Sequence, residues 1–545
     1  MTMIDFENNF FGRRSIIDLL KRRVLDLREG YRQNVALLGD RHIGKTSILK
    51  KFIFELGDEG VVDVYVDLEN KDFYSFFLKI SGGLLYNFCR NKKLPQQHDL
   101  KLLLESTKRL IPQTVEEIKR IEGLIAKDKI AEAYRDILSL PEVFSNETGL
   151  FCVIILDEFH FLEDFLITNV YQELGKKIMT QKKCLYLVSS SREDLVNEIL
   201  QEKLSLLFGN FEIIHVCGFD LKTSQEFIAQ NLHDLKMNST LKNFIIDFTG
   251  GHPFYLNIIS QELIQQSAIH HQSEIFIPLL MSSIENTIFN RWGVLNRHFE
   301  IIVDQLCANR GSRAVLAILT ALVSGQSKLS AIGSNSGISK ILLSAKFNRL
   351  LELDIVIKNG NFYYLKDKLF KYWIKYVLQK KLHTIDIDAR AIRDEFHREM
   401  EGLICHFQVI SQKDLSSRIA QLLQCFDNIS LTLNGRRYKL PAFNKITSLK
   451  AASHKENDME VIRASAQEGE WFIALKEEGI CEMDVNVFLT ESKRIIKNPQ
   501  QRIIISLREL DANARLKALQ EKMWIWNESE LNALLNLYDQ PYIVK

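Results

Sequence analysis

Short apolar runs punctuate the first third of the chain. Val35 to Leu38, Val61 to Val66, Phe151 to Leu156, Cys184 to Val188 and Ile213 to Val216 have strand length and little polar alternation, as strands buried on both faces require. Helical patterns separate most of them; after the first run, Ile48, Leu49, Phe52, Ile53 and Leu56 fall on one helical face. The alternation predicts an α/β fold of three layers, a parallel sheet covered on both sides, with chemistry in the loops at the strand C-termini. Between Asn91 and Thr148 the spacing of leucines among charges predicts a helical insertion, a candidate partner surface. From Asp220 to about Glu300 the pattern is again helical, with Phe227, Ile228, Leu232 and Leu235 on one spacing, broken by Gly250-Gly251-His252-Pro253. That stretch suits a helical lid.

Beyond residue 300 the pattern changes twice. Short helices from Ala314 lead to two strand-like runs around Asn359-Gly360, a hairpin signal. Helices followed by such a wing suggest a winged helix, whose recognition-helix candidate, Ile338 to Leu350, carries Lys340, Lys346 and Arg349; an internal packing or regulatory module is the alternative. The last part reads as a separate α/β domain, with strands at Phe472 to Leu475, Ile503 to Ser506 and Trp524 to Trp526 and a helix from Asn513 to Lys522. The expected domains are therefore 1–218, with the insertion at about 91–148, then 219–300, 301–380 and 381–545.

Composition narrows the class. The 545 residues, 46% hydrophobic and 26% charged, describe a chain long enough for roughly three or four domains. Lysine plus arginine (70) nearly cancels aspartate plus glutamate (69), so any DNA contact must be local. Eight cysteines stand singly, which argues against a zinc site or a disulfide framework. No segment approaches the ~20 consecutive apolar residues of a membrane span, and the start of the chain lacks the features of a signal peptide. A cytoplasmic protein without membrane attachment is expected.

The candidate chemistry sits after the first strand. Gly39-Asp40-Arg41-His42-Ile43-Gly44-Lys45-Thr46 satisfies GxxxxGK[ST] between a buried strand and an amphipathic helix. Glycines let backbone amides turn inward, the helix N-terminus attracts anions, and Lys45 would meet the β and γ phosphates of ATP. Thr46 would offer its hydroxyl to Mg2+, and Ser47 completes the cradle. Phe151 to Leu156 ends in Asp157-Glu158; Asp157 would hold the metal while Glu158, on the other side of the pleat, polarises the attacking water. Ser190 and Arg192 end the strand from Cys184 and are candidate γ-phosphate sensors, although serine-rich turns also end ordinary strands.

These residues resemble the prokaryotic STAND-type, or archaeal-type, P-loop ATPases related to the AAA+ class. Phe11-Gly12-Arg13-Arg14 is similar to that family's N-terminal FxGRExE element, which places Gly12 and Arg13 near the adenine; Arg14 stands where a glutamate is usual. Gly250 to Pro253 resembles the GxP lid element, in which Pro253 approaches the nucleotide. Asp367-Lys368-Leu369-Phe370-Lys371-Tyr372-Trp373 resembles the D-x-L-F-x-x-W segment after the winged helix. The last domain resembles the PD-(D/E)xK, restriction-endonuclease-like domain attached to such ATPases. There Glu460 takes the acidic position and Lys476 the lysine, while Ala474 replaces the second carboxylate, with Glu401 or Asp458 as substitutes. Magnesium prefers oxygen ligands and alanine offers none, so a degenerate site is expected. The resemblance implies an ATP-driven switch acting on DNA or a protein partner, or as a homo-oligomer. The alternatives are an ATP-gated, metal-dependent DNA nuclease and a scaffold that binds ATP without hydrolysing it.

Overall fold

Each residue of strand β1 (Asn34–Leu38) is buried, and the alternation of its side chains decides the layers. Val35 and Leu37 join one apolar cluster with Ile17, Leu20 and Val24 of α1 (Arg14–Arg28) and Ile48, Leu49 and Phe52 of α2 (Lys45–Leu56). Ala36 and Leu38 face the opposite way into a larger cluster. The computed structural model describes residues 10–69, 72–200, 211–308, 311–326, 332, 338–359, 362–383, 389–433, 436–450, 459–476, 479–496, 498–507 and 510–542. It divides into two compact units, residues 1–219 with 252–254, and residues 220–251 with 255–545.

In the first unit, β1, β2 (Val61–Asp67), β3 (Phe151–Asp157), β4 (Cys184–Ser190) and β5 (Phe211–His215) form a sheet in the order β2-β3-β4-β1-β5, parallel throughout. This is the α/β fold with a covered parallel sheet that the apolar runs imply. Register places the C-terminal ends together: Leu38 lies beside Ser190 and His215, Leu156 beside Val188. The stretch before β3 folds as α3 (Phe73–Asn91), α4 (Leu100–Thr107), α5 (Pro112–Ala126) and α6 (Ile130–Thr148). Leu103, Ile118, Ile121, Ile137, Leu140 and Phe144 are buried in the larger cluster with the even-numbered side chains of β1 and β3. Most of the insertion's apolar face is thus buried in the core cluster it shares with the sheet, with Leu102 and Leu110 left exposed. Helices α7 (Val170–Thr180) and α8 (Glu193–Glu198) complete the unit.

The second unit begins with α9 (Leu221–Leu232), β6 (Lys236–Met237), α10 (Ser239–Thr249), α11 (Pro253–Ile269) from Tyr255 onward, β7 (Glu274–Ile275) and α12 (Ile277–Ile284). Helices α13 (Val294–Cys307), α14 (Ser312–Val323) and α15 (Lys340–Glu352) then lead into an antiparallel ribbon of β8 (Val356–Asn359) and β9 (Phe362–Leu365). Its turn lies outside the described residues, as does Asp458. Asp367 caps α16 (Lys368–Trp373) by accepting from the Phe370 N–H at 2.9 Å, and its carboxylate also meets the Tyr255 hydroxyl. Trp373 is fully buried and donates to Asn296 at 2.8 Å.

After α17 (Gln379–His383), α18 (Ala389–Ser411) and α19 (Leu415–Gln424) come a hairpin of β10 (Ile429–Leu433) and β11 (Arg436–Leu440), then a mixed sheet. Its strands β12 (Phe443–Lys450), β13 (Glu460–Ala466), β14 (Gly469–Lys476), β15 (Gln501–Ser506) and β16 (Trp524–Trp526) lie in sequence order, antiparallel up to β14 and parallel after it. The parallel half is linked by α20 (Glu482–Ile495) and α21 (Ala512–Gln520), whose Val485, Phe488, Ala514 and Ala518 cover one face. Helices α19 and α22 (Glu528–Leu537) cover the other. Among the described residues no helix is long and apolar enough to cross a membrane.

Candidate functional site

The loop between β1 and α2 is shaped by two glycines. A Cβ on Gly39 would stand 2.3 Å from the Val216 carbonyl oxygen, so only hydrogen fits. Gly44 has φ +104° and precedes the first turn of α2 with no side-chain cap, leaving the helix amides for an external anion. His42 between them is also left-handed, at φ 61°. Burial, then the neighbouring Arg41 and Lys45 cations, holds its imidazole below the usual range and so neutral. Arg41 pairs with Glu69 at 3.1 Å, and Ile43 is buried under the loop.

Lys45 is only 3% exposed, and its ammonium donates to the Gly39 and Asp40 carbonyls, both at 2.9 Å. Glu158 Oε1 lies 3.5 Å away. Burial lowers the Lys45 pKa, while Glu158 and Asp157 oppose that shift. Thr46 Oγ1 donates to Asp157 Oδ2 at 2.7 Å. The first turn of α2 and the end of β3 are thereby joined across 111 residues by two oxygen groups of the kind a hard divalent cation selects.

Other groups on this carboxylate are not evident from the motif. The Tyr65 hydroxyl, from β2, donates to the same Oδ2 at 2.6 Å, and Ser189 donates to Oδ1 while accepting the Glu158 N–H at 3.1 Å. Burial, reinforced by the charge of Asp157, raises the Tyr65 pKa and keeps its proton in place. The one hint of Tyr65 in the sequence is a polar-tipped aromatic near the end of an otherwise apolar strand.

Glu158 adopts φ 53°. Its Oε2 accepts from the Ser191 N–H at 2.7 Å and the Ser191 hydroxyl at 2.9 Å. Ser190 Oγ accepts the Arg192 N–H at 3.0 Å and lies 2.8 Å from His160 Nδ1. Ser190, Arg192, Glu158 and Lys45 therefore share one edge of the sheet. Arg13 donates to the Cys217 carbonyl and its guanidinium lies 4.9 Å from the Phe219 ring, which Phe11 meets edge-on at 6.0 Å. Arg13 and Phe11 thus clamp the segment after β5, and Gly12 between them is left-handed at φ 67°. Arg14 pairs instead with Asp18 and with Glu55 of α2. His252 Nε2 lies 3.2 Å from the Arg41 carbonyl and Phe254 packs on His42 at 5.0 Å, which sets Pro253 against the loop.

The structure does not bring Glu460 and Lys476 together. Glu460 has the parity of Ile462 and Ala464 and meets Ser416 of α19 on one face of the second sheet. Lys476 has the parity of Phe472 and Ala474, on the other face, where it pairs with Asp484 of α20 at 2.9 Å. The Asp484 carboxylate is held by the Cys481 N–H as well, at 2.9 Å, so this lysine is part of a helix cap.

No family model matches the chain, and no curated protein matches it. Solved structures do. The Walker-type ATPase PABY2304 of Pyrococcus abyssi is similar at 16% identity and TM-score 0.45, over 67% of this chain and 96% of that one. The ORC2 protein of Aeropyrum pernix, in ADPNP and ADP complexes, is similar at 12% and 0.42, over 70% and 98%. The RuvB Holliday junction branch migration motor of Thermotoga maritima follows at 13% and 0.33, over 67% and 95%. All three scores lie below one half.

Proposed function

We propose that the chain binds ATP with Mg2+ at residues 39–47 and hydrolyses it, working as a molecular switch of the STAND/AAA+ type. The supporting observation is the Thr46–Asp157 contact at 2.7 Å beside the buried Lys45. Among the described residues this buried ammonium meets two neutral carbonyls and one carboxylate at 3.5 Å, which leaves it under-compensated, and a triphosphate supplies further anionic oxygens. Amides of Asp40 to Ser47 line the turn, Gly12 and Arg13 border the base, and Pro253 closes over the loop. Thr46 and Asp157 would hold the metal, whose chemistry is to neutralise charge on the phosphates. Glu158, once Ser191 releases it, accepts a proton from the attacking water, while Ser190 and Arg192 face the γ-phosphate.

On this reading nucleotide state is passed to a DNA or protein partner through the later domains, a helical lid, a winged helix (301–380) and a nuclease-like α/β domain (381–545). The opposed faces of Glu460 and Lys476 speak against DNA cleavage. Lys45→Ala should abolish tight ATP binding, and Glu158→Gln should keep binding but stop phosphate release. Equal turnover in the wild type and both variants would refute the assignment; release no faster than in buffer, with or without DNA, would leave a non-hydrolysing scaffold.

A further inference from the structure

One buried polar side chain at the sheet edge is not accounted for by the nucleotide motifs. After Asp157 the left-handed Glu158 turns the chain sharply into a 3-10 helix (Phe159–Phe165), and His160 folds back beneath the end of β4, 4% exposed. Its Nδ1 lies 2.8 Å from Ser190 Oγ and 3.4 Å from Glu158 Oε2. The Ser190 contact is a hydrogen bond, and the Glu158 oxygen, which only accepts, stands close enough beside it to favour the tautomer with the proton on Nδ1. The ring is braced: Phe161 packs on it at 4.3 Å, and the His160 carbonyl accepts from the Tyr171 hydroxyl at 3.0 Å. Burial, the largest influence, pushes its pKa down to about 4, which keeps the ring neutral.

Glu158 Oε2 therefore has two kinds of neighbour. Ser191 holds it with two donors, whereas His160 stands 3.4 Å from it on a braced ring. We propose that His160 is a positioning residue for ATP cleavage, its Nδ1 bonded to the hydroxyl that ends β4 and its ring held against the carboxylate that ends β3. The inference rests on the ATPase reading and deepens it. Movement of Ser190 on meeting a γ-phosphate is transmitted through a rigid imidazole to Glu158, which leaves Ser191 along a defined path. His160 touches no phosphate, so it governs turnover and leaves affinity alone.

The test separates those quantities in the full-length chain. Binding is measured by titration with ADP and Mg2+, turnover by phosphate release. His160→Asn places an amide donor near the Nδ1 position, His160→Gln places one further out, and His160→Leu fills the space with no donor. Loss of the hydrogen bond to Ser190 predicts kcat lower by about 10-fold in the Leu and Gln variants. The Asn variant should stay within about 3-fold of wild type, and ADP affinity should change little in all three. A Leu variant with wild-type turnover, beside an inactive Glu158→Gln, would overturn the role of His160 and leave the ATPase reading standing. If the Leu variant fails to fold, the Asn and Gln pair decides alone: equal turnover in both overturns the proposal. Turnover untouched by Glu158→Gln would instead remove the ATPase reading beneath it.

Discussion

Asp247→Ala should unfold the second unit at a markedly lower denaturant concentration. Asp247, on α10, is 4% exposed, and its Oδ1 accepts from Lys368 Nζ at 2.6 Å and from the Tyr542 N–H at 2.8 Å. Lys368 is itself buried, with its ammonium 3.9 Å from the Tyr542 ring centre, and burial depresses its pKa despite the carboxylate. Removing the aspartate leaves a cation in the interior without an anion, which costs about 3–5 kcal/mol. With a denaturant slope of roughly 3 kcal/mol per molar or more, the urea midpoint falls by about 1 M. The readout is local, because all five tryptophans, Trp292, Trp373, Trp471, Trp524 and Trp526, lie in the second unit. Asp247→Ala with Lys368→Met removes the unpaired charge and should recover part of the loss, the Tyr542 N–H still lacking its acceptor. An Asp247→Ala midpoint equal to wild type, or a double variant no better than the single, would refute the reasoning.

Three further outcomes follow from the geometry. Gly39→Ala drives a Cβ into the Val216 carbonyl and should abolish ADP binding in a titration where wild type saturates; intact binding would show that the loop relaxes freely. Tyr65→Phe removes the 2.6 Å donor on Asp157, and the Mg2+ concentration for half-maximal phosphate release should change by about 10-fold, with no change counting against Asp157 as the metal group. Lys476→Ala deprives the buried Asp484 of its cation and should lower tryptophan-monitored stability by about 1–3 kcal/mol, while plasmid incubated with the wild type and Mg2+ or Mn2+ stays supercoiled; nicking lost in the variant would restore the nuclease reading.

The strands of the first sheet were legible because burial on both faces leaves no polar positions to interrupt them, and the loop after β1 was legible because phosphate binding demands glycines and a lysine at close spacing. Strands β12 and β13 were not, since polar residues alternate through them and their partners are fixed only by pairing. What covers the apolar face of the insertion before β3 could not be read from spacing, which shows that a helix has such a face and not its partner; most of it lies in the core shared with the sheet. Tyr65, His160 and the Asp247–Lys368 pair act on residues 92, 30 and 121 positions away, a distance no local pattern spans.

Glu460 and Lys476 illustrate the limit most directly. Linear order allowed them to meet, but the pleat sends side chains of opposite parity to opposite faces, and each found its partner there. Local chemistry is written in residue type and spacing and was decided by the chain itself. Which groups converge depends on strand order, register and pleat, and those are set by the burial of the whole core.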